Sequence, residues 1–427
     1  MEKKDGKSIS RRSILIGGGI AGAAALTGGF ILFRREQQAP ADKHLRVEAK
    51  EPFWNGVTWG PDSMHISWIT EDRLVSADLK DGAMSEKPLG YPIADLRTLA
   101  RSGTRIASID SLPNMQIVVQ DAQSGHLLWT YKDPRYSGDR LYSINDVAWS
   151  PDGTRLALVF RRDDLSDNHT DSVLQVRDTA SWKVIWEYQE RTVRGFDPYA
   201  ITWSPDGTLI AAVHSDTVQY LDALSGHLLY AWPSIGIWSA DARFHATSLT
   251  ETQGQRMVIQ VVAWEARTGK KVFQKEISQD RLDDPRIAWS PDGTRLAVRE
   301  QQQIQVWALQ TMKLLFTCQH VEGDIYAVSW SPDGRYIVAR KNPNQTDTSP
   351  RVAQLQFWNA HNGNALFAYN SPRMPTGYGR PAQMYWSPDS RFLALDNKKD
   401  WGCSYDLMMG KTDCSFSNDV IQVFQIP

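Results

Sequence analysis

One short phrase, Trp-Ser-Pro-Asp-Gly followed by apolar residues, returns along this chain of 427 residues, and a chain built this way must fold from copies of one small unit. It reads WSPDG from Trp149, Trp203, Trp289 and Trp330, WSPDS from Trp386 and WGPDS from Trp59. Turn and strand are both encoded in it. Proline presets φ near −65° at the first central position, aspartate can bond its own backbone, and glycine supplies the positive φ that joins a type I turn to a bulged hairpin. The residues that follow, TRLALVF at 154–160 and TLIAAV at 208–213, are apolar and β-branched over a strand's length.

Successive tryptophans of the phrase are 90, 54, 86, 41 and 56 residues apart, so two gaps are long enough to hold a worn copy each. The first holds LARSGTRIA at 99–107, which aligns with WSPDGTRLA at 149–157; the second holds WSADARFHA at 238–246, which follows WSPDSRFLA at 386–394. The spacings become 40, 50, 54, 35, 51, 41 and 56, around the ~40–50 residues of one four-stranded blade. Within a unit a third strand ends in an acidic or amide residue and a tight turn, and an aromatic-rich fourth strand follows, as in 118–131, 219–232 and 262–273. Gly125, Gly226 and Gly269 stand where that turn needs a left-handed φ. The last unit has a third strand at 420–426 and then ends, and residues 45–50 (LRVEAK) at the opposite terminus can serve as its fourth. The expected fold is all-β, an eight-bladed propeller closed by an N-terminal strand, with seven blades as the alternative.

With these repeats the chain resembles a WD-repeat β-propeller over residues 44–427. It departs from the family's pattern in two places. No Gly-His precedes the first strand, His126 and His227 following glycine in the other turn, and the terminal Trp-Asp is eroded to Trp264-Glu265, Trp307-Ala308 and Trp358-Asn359. The polar tetrad of strict members is therefore not expected. A related propeller family, named for a periplasmic translocation protein, shares the Pro-Asp-Gly turn but usually lacks a fourth strand like that of 118–131. The WD-repeat resemblance implies a module that binds protein or peptide partners.

Residues 1–35 read differently. Lys3, Lys4, Lys7, Arg11 and Arg12 precede a charge-free run at 14–33, and Arg34 and Arg35 follow. Twenty helical residues rise ~30 Å, one hydrocarbon thickness. The basic side stays in the cytoplasm, so residues 1–35 are expected to form a signal or transmembrane anchor, 36–43 a linker, and the propeller to lie outside the cytoplasm. Ser10-Arg11-Arg12-Ser13-Ile14-Leu15 resembles a bacterial twin-arginine export signal. An A-x-A site at Ala39-Pro40-Ala41 lies beyond the arginines, which favours an uncleaved anchor; cleavage would give a secreted protein. Gly17, Gly19 and Gly22 satisfy G-x-G-x-x-G, but no polar helix face or acid-bearing second strand accompanies them, so no dinucleotide is expected. Cys403 and Cys414 could close a loop as a disulfide outside the cytoplasm, whereas Cys318 lies in an apolar run. Beyond residue 41 there are 40 basic and 46 acidic side chains, a balance that argues against nucleic acid as a partner.

First-to-second and third-to-fourth turns are short and share one face, while the long connections 132–145, 161–171, 190–199, 341–351, 371–381 and 398–418 share the other. Those loops carry Arg135, Tyr136 and Tyr142; Arg194, Phe196 and Tyr199; Arg373, Tyr378 and Arg380; and Trp401 and Tyr405. Arginine and aromatic side chains are the usual anchors of recognition, and these form the candidate binding set. The repeated tryptophans read instead as packing between blades. No hydrolase elbow, zincin helix, Cys-x-x-Cys or EF-hand pattern occurs, so no catalytic residue, metal or cofactor is assigned. The expected function is non-catalytic recognition or scaffolding. The alternative is a quinoprotein-like oxidoreductase, because DAQSGHLLWTY at 121–131 resembles the docking repeat of eight-bladed quinoprotein dehydrogenases; the adjacent cysteines those enzymes tend to have are missing.

Overall fold

The computed structural model describes residues 44–427 except 49–53, 71–72, 89–95, 100–103, 111–115, 123, 133–139, 165–168, 194–199, 214–216, 233–235, 254–255, 278–286, 319–323, 343–352, 372–383, 398–401, 407–410 and 416–419. The expected membrane or signal helix at 14–33 lies outside the described residues. These contain no helix and eight four-stranded antiparallel sheets, so the blades number eight, not seven. In chain order the blades are 54–88, 96–131, 140–193, 200–232, 237–277, 287–317, 324–371, and 384–425 completed by 44–48. First strands lie innermost, where those of blades 8 and 1, 1 and 2, 2 and 3, 3 and 4, and 6 and 7 touch.

The repeated phrase builds the described turns that follow first strands. Gly153 donates its N–H to Ser150 O at 2.9 Å and takes a φ of 71°, with Gly207, Gly293 and Gly334 alike at 69°, 67° and 76°. In the worn copies Ser63, Ala242 and Ser390 take the same conformation at 59°, 59° and 63°. The serine has a role that its position alone did not announce. Buried Ser150 Oγ donates to Asp152 Oδ1 at 2.6 Å and accepts the N–H of Arg155 at 2.9 Å, fastening the start of the second strand. Ser204, Ser239, Ser290, Ser331 and Ser387, all buried, repeat that double bond within their own turns.

Tryptophan joins one blade to the one before it, as its recurrence suggested. The indole N–H of Trp203 donates to Ala148 O at 3.1 Å, that of Trp289 to Ile237 O at 3.0 Å and that of Trp59 to Tyr385 O at 2.9 Å. Each acceptor is the residue just before the preceding blade's own tryptophan. Trp386 follows the same rule with a side chain, donating to Ser329 Oγ at 3.1 Å. The apolar core is divided among such seams: Ala157, Val159, Leu174 and Val176 of blade 3 pack on Ile201, Trp203, Ile210 and Leu221 of blade 4.

Closure follows the expectation from the termini. Val420–Gln425 is the third strand of blade 8, and His44–Glu48 pairs with it antiparallel, His44 opposite Phe424 and Glu48 opposite Val420. Tyr369 Oη donates to Gln425 O at 3.0 Å, tying the chain's end to blade 7.

Several connections expected to be loops are partly strand. Blade 3 consists of four strands of ten residues, Arg140–Trp149, Arg155–Asp164, His169–Asp178 and Val184–Val193, which take in much of 132–145, 161–171 and 190–199. The extension keeps the ladder in register, with Arg140 opposite Asp164 and Asp171 opposite Arg191. Within 398–418, Gly402–Asp406 and Lys411–Ser415 form a separate hairpin.

Candidate functional site

The two faces of the ring differ in how much their connections vary. Five residues separate first from second strands in all eight blades, as in 150–154, and third from fourth strands in six, as in 223–227. On the opposite face the gaps run from two residues, 301–302, to the 22 of 398–419.

On the short-turn face polar groups are spent on the fold itself. Burial pushes the carboxyls of Asp152, Asp206, Asp241, Asp292, Asp333 and Asp389 upward, and hydrogen bonds from their own turns outweigh it, holding each below the ordinary carboxylate range. Asp222 at the end of a third strand behaves likewise, accepting the N–H groups of Leu224 at 3.1 Å and Ser225 at 3.0 Å. The glycines of the third-to-fourth turns take φ values of 70° at Gly125, 72° at Gly226 and 67° at Gly269. A second demand acts there: a Cβ on Gly226 would stand 2.6 Å from the Trp186 ring of the neighbouring blade. Fourth-strand aromatics thus close over the next blade's turn. Blade 3 places Trp182 itself in that turn at φ 57°, stacked on Trp129 of blade 2 with centroids 4.6 Å apart. Arg177 lies over Tyr131 at 4.2 Å and donates to Trp182 O at 2.7 Å.

The candidate binding residues were assigned to the long connections from sequence. Tyr142 falls in the first strand of blade 3, opposite Arg162 in the extension. Arg135, Tyr136, Arg194, Phe196, Tyr199, Arg373, Tyr378, Arg380 and Trp401 lie outside the described residues. Tyr405 is opposite Thr412 in the added hairpin, and Cys403 is directly opposite Cys414. Cys318 is a buried free thiol pushed up to about 12 by desolvation.

One group was missed by sequence reasoning. Asp146, on an innermost strand next to a bulge, accepts the N–H of Val147 at 2.8 Å and, across the seam, that of Ile201 in blade 4 at 2.8 Å. Burial outweighs both bonds and raises its pKa to about 6. The signal was an acid three residues before the phrase tryptophan, where blades 4 and 7 carry Ala200 and Ala327. Among the described residues no group of three or more His, Cys, Asp or Glu side chains could hold a metal ion, and no helix is long and apolar enough to cross a membrane.

Comparison with known proteins agrees with this geometry. The WD domain, G-beta repeat family model matches residues 312–340, which run from the last strand of blade 6 into the second strand of blade 7. No curated protein matches the chain. Among solved structures, the C-terminal WD40 domain of Sif2 is similar at 13% identity and a TM-score of 0.50, with 89% of this chain and 97% of that one covered. The dihydro-heme d1 dehydrogenase NirN in complex with DHE is similar at 14% identity and a TM-score of 0.50, with 80% and 72% covered. At such identities the likeness concerns the fold.

Proposed function

We infer that this chain is an exported, membrane-tethered propeller that recognises a protein or peptide partner on its long-loop face and performs no chemistry of its own. The observation that carries this reading is the asymmetry of the faces. One keeps to turns of four or five residues whose carboxylates and hydroxyls are used within the turns, and the other varies from two to 22 residues. Variable connections on a rigid scaffold are where recognition is built. A WD-type repeat at 312–340 supports a partner-binding role, since propellers of this kind generally bind proteins. The quinoprotein-like reading rested on DAQSGHLLWTY at 121–131, and packing accounts for two of its residues: Gly125 supplies a positive φ and Trp129 stacks on Trp182. Export and tethering rest on Arg11, Arg12 and the apolar run at 14–33.

Affinity capture with the full chain as bait tests the reading. Replacing Arg194, Tyr199 and Arg380 together by alanine is expected to remove partners that the wild type retains, while Ser124→Ala on the short-turn face leaves them bound. Unchanged capture by the triple variant would contradict it.

A further inference from the structure

The fourth strands of blades 2 to 7 share an irregularity that the repeat did not reveal. In each the ladder slips by one residue at the same place: Gln120 faces Leu127 and Val119 faces Trp129, so Leu128 is left over. Ile185, Leu229, Val272, Leu315 and Leu366 are left over in the same way. The bulge returns the next residue, an aromatic in all six, to the seam between blades. In five of the six blades it also turns an apolar side chain out at the rim of the short-turn face, whereas Val272 of blade 5 packs against the core. Leu128, Ile185, Leu229, Leu315 and Leu366 are 38 to 48% exposed, and Leu224 and Met312 at adjoining turn tips are 68% and 55% exposed. A row of apolar side chains at equivalent positions of five blades marks a contact surface rather than scattered surface leucines.

The crescent is interrupted where the chain enters the ring. Blade 1 pairs its fourth strand without a slip, and so does the N-terminal strand in blade 8. Third strands run toward the short-turn face, so Val420–Gln425 ends there, and His44, opposite Phe424, begins there. Residues 34–43 span at most ~35 Å. The apolar run at 14–33 is thus tied to the same rim that bears the exposed leucines.

We propose that the short-turn rim of blades 2 to 7 rests on the bilayer that holds residues 14–33, with the bulged apolar side chains in the headgroup region and the long-loop face turned away from the membrane. This rests on the tethered-recognition reading above. Apolar side chains at an interface gain affinity from burial at the headgroup boundary, and the short tether keeps the rim within reach of it.

The full chain, with Cys403 and Cys414 changed to Ser, is placed in phosphatidylcholine vesicles containing a minority of phosphatidylglycerol and a headgroup-labelled quenching lipid. A dye is attached through Ser124→Cys on the short-turn face or through Gln302→Cys on the long-loop face. Lipid is expected to quench the dye at 124 and spare the dye at 302. Changing Leu128, Ile185, Leu229, Leu315 and Leu366 to Ser is expected to abolish most of that difference; Leu128→Ser alone, a surface change in a folded chain, removes part of it. Equal quenching at the two positions, stronger quenching at 302, or quenching at 124 that ignores the serine changes would overturn the proposal. Partner capture reads the other face, so loss of capture with the quenching pattern intact would sink the recognition reading alone.

Discussion

Ala242 occupies, at φ 59°, the turn position that glycine fills in four of the described turns. A left-handed L-residue costs about 1–2 kcal/mol, so Ala242→Gly is expected to raise the urea midpoint, by the equivalent of about 1 kcal/mol once glycine's extra unfolded freedom is subtracted. Ser390, at φ 63°, repays its strain differently, because its Oγ accepts the N–H of Asp333 in blade 7 at 3.0 Å. Ser390→Gly is expected to bring no such gain, and an equal gain in both variants would show that the bond between the turns contributes nothing. Asp146 sets a pH dependence. Its folded pKa of about 6 lies above the ordinary value of 3.8, so the native state holds this proton more tightly than the unfolded chain. The stability contributed is present below the unfolded pKa and lost as pH rises through about 6, roughly 3 kcal/mol at the limit. Asp146→Asn should therefore gain on the wild type between about pH 4 and pH 7 in denaturant titrations; a constant difference would mean the carboxyl is not perturbed.

Strands and turns act in pairs across the seams, and glycine separates two causes. Gly153→Ala meets only its φ of 71°, with nothing within 4 Å of the added Cβ, and is expected to cost about 1–2 kcal/mol. Gly226→Ala meets φ 72° and also the Trp186 ring 2.6 Å away, so it must displace a neighbouring blade and cost clearly more. Equal losses in thermal or denaturant unfolding would remove the seam from the explanation. The turn chemistry was legible because each residue acts within a few neighbours: proline, aspartate and glycine set the hairpin, and Leu99 and Trp238 mark the ends of first strands even where the phrase is worn. The bulges were not legible, since Leu128 and Leu229 look like ordinary apolar residues until strand register assigns them no partner. Blade 3 was read too short because its extension, with Arg140 opposite Asp164, is a ladder formed with strands distant in sequence and carries loop-like composition. The candidate binding residues were chosen by residue type and loop length alone, and of the eleven Tyr142 and Tyr405 are the two that the described strands contain.

A closed ring allows one rule to recur at several seams, with the indoles of Trp59, Trp203, Trp289 and Trp386 each reaching back one blade, Trp59 of blade 1 to Tyr385 of blade 8 as Trp203 to Ala148. That closure depends on His44–Glu48 completing blade 8, which also places the chain's entry at the short-turn rim. Cross-strand partners in an antiparallel ladder have Cα atoms about 4.5–5.5 Å apart, within the reach of a disulfide. Cysteine pairs introduced one at a time at Leu45 with Val423, Arg46 with Gln422 and Val47 with Ile421 test it directly, under mild oxidation with peptide mapping of the monomer. The account predicts intramolecular bridges at these registered pairs and none when Leu45→Cys is combined with Gln425→Cys; monomers in which no registered pair bridges would contradict the closed eight-bladed ring.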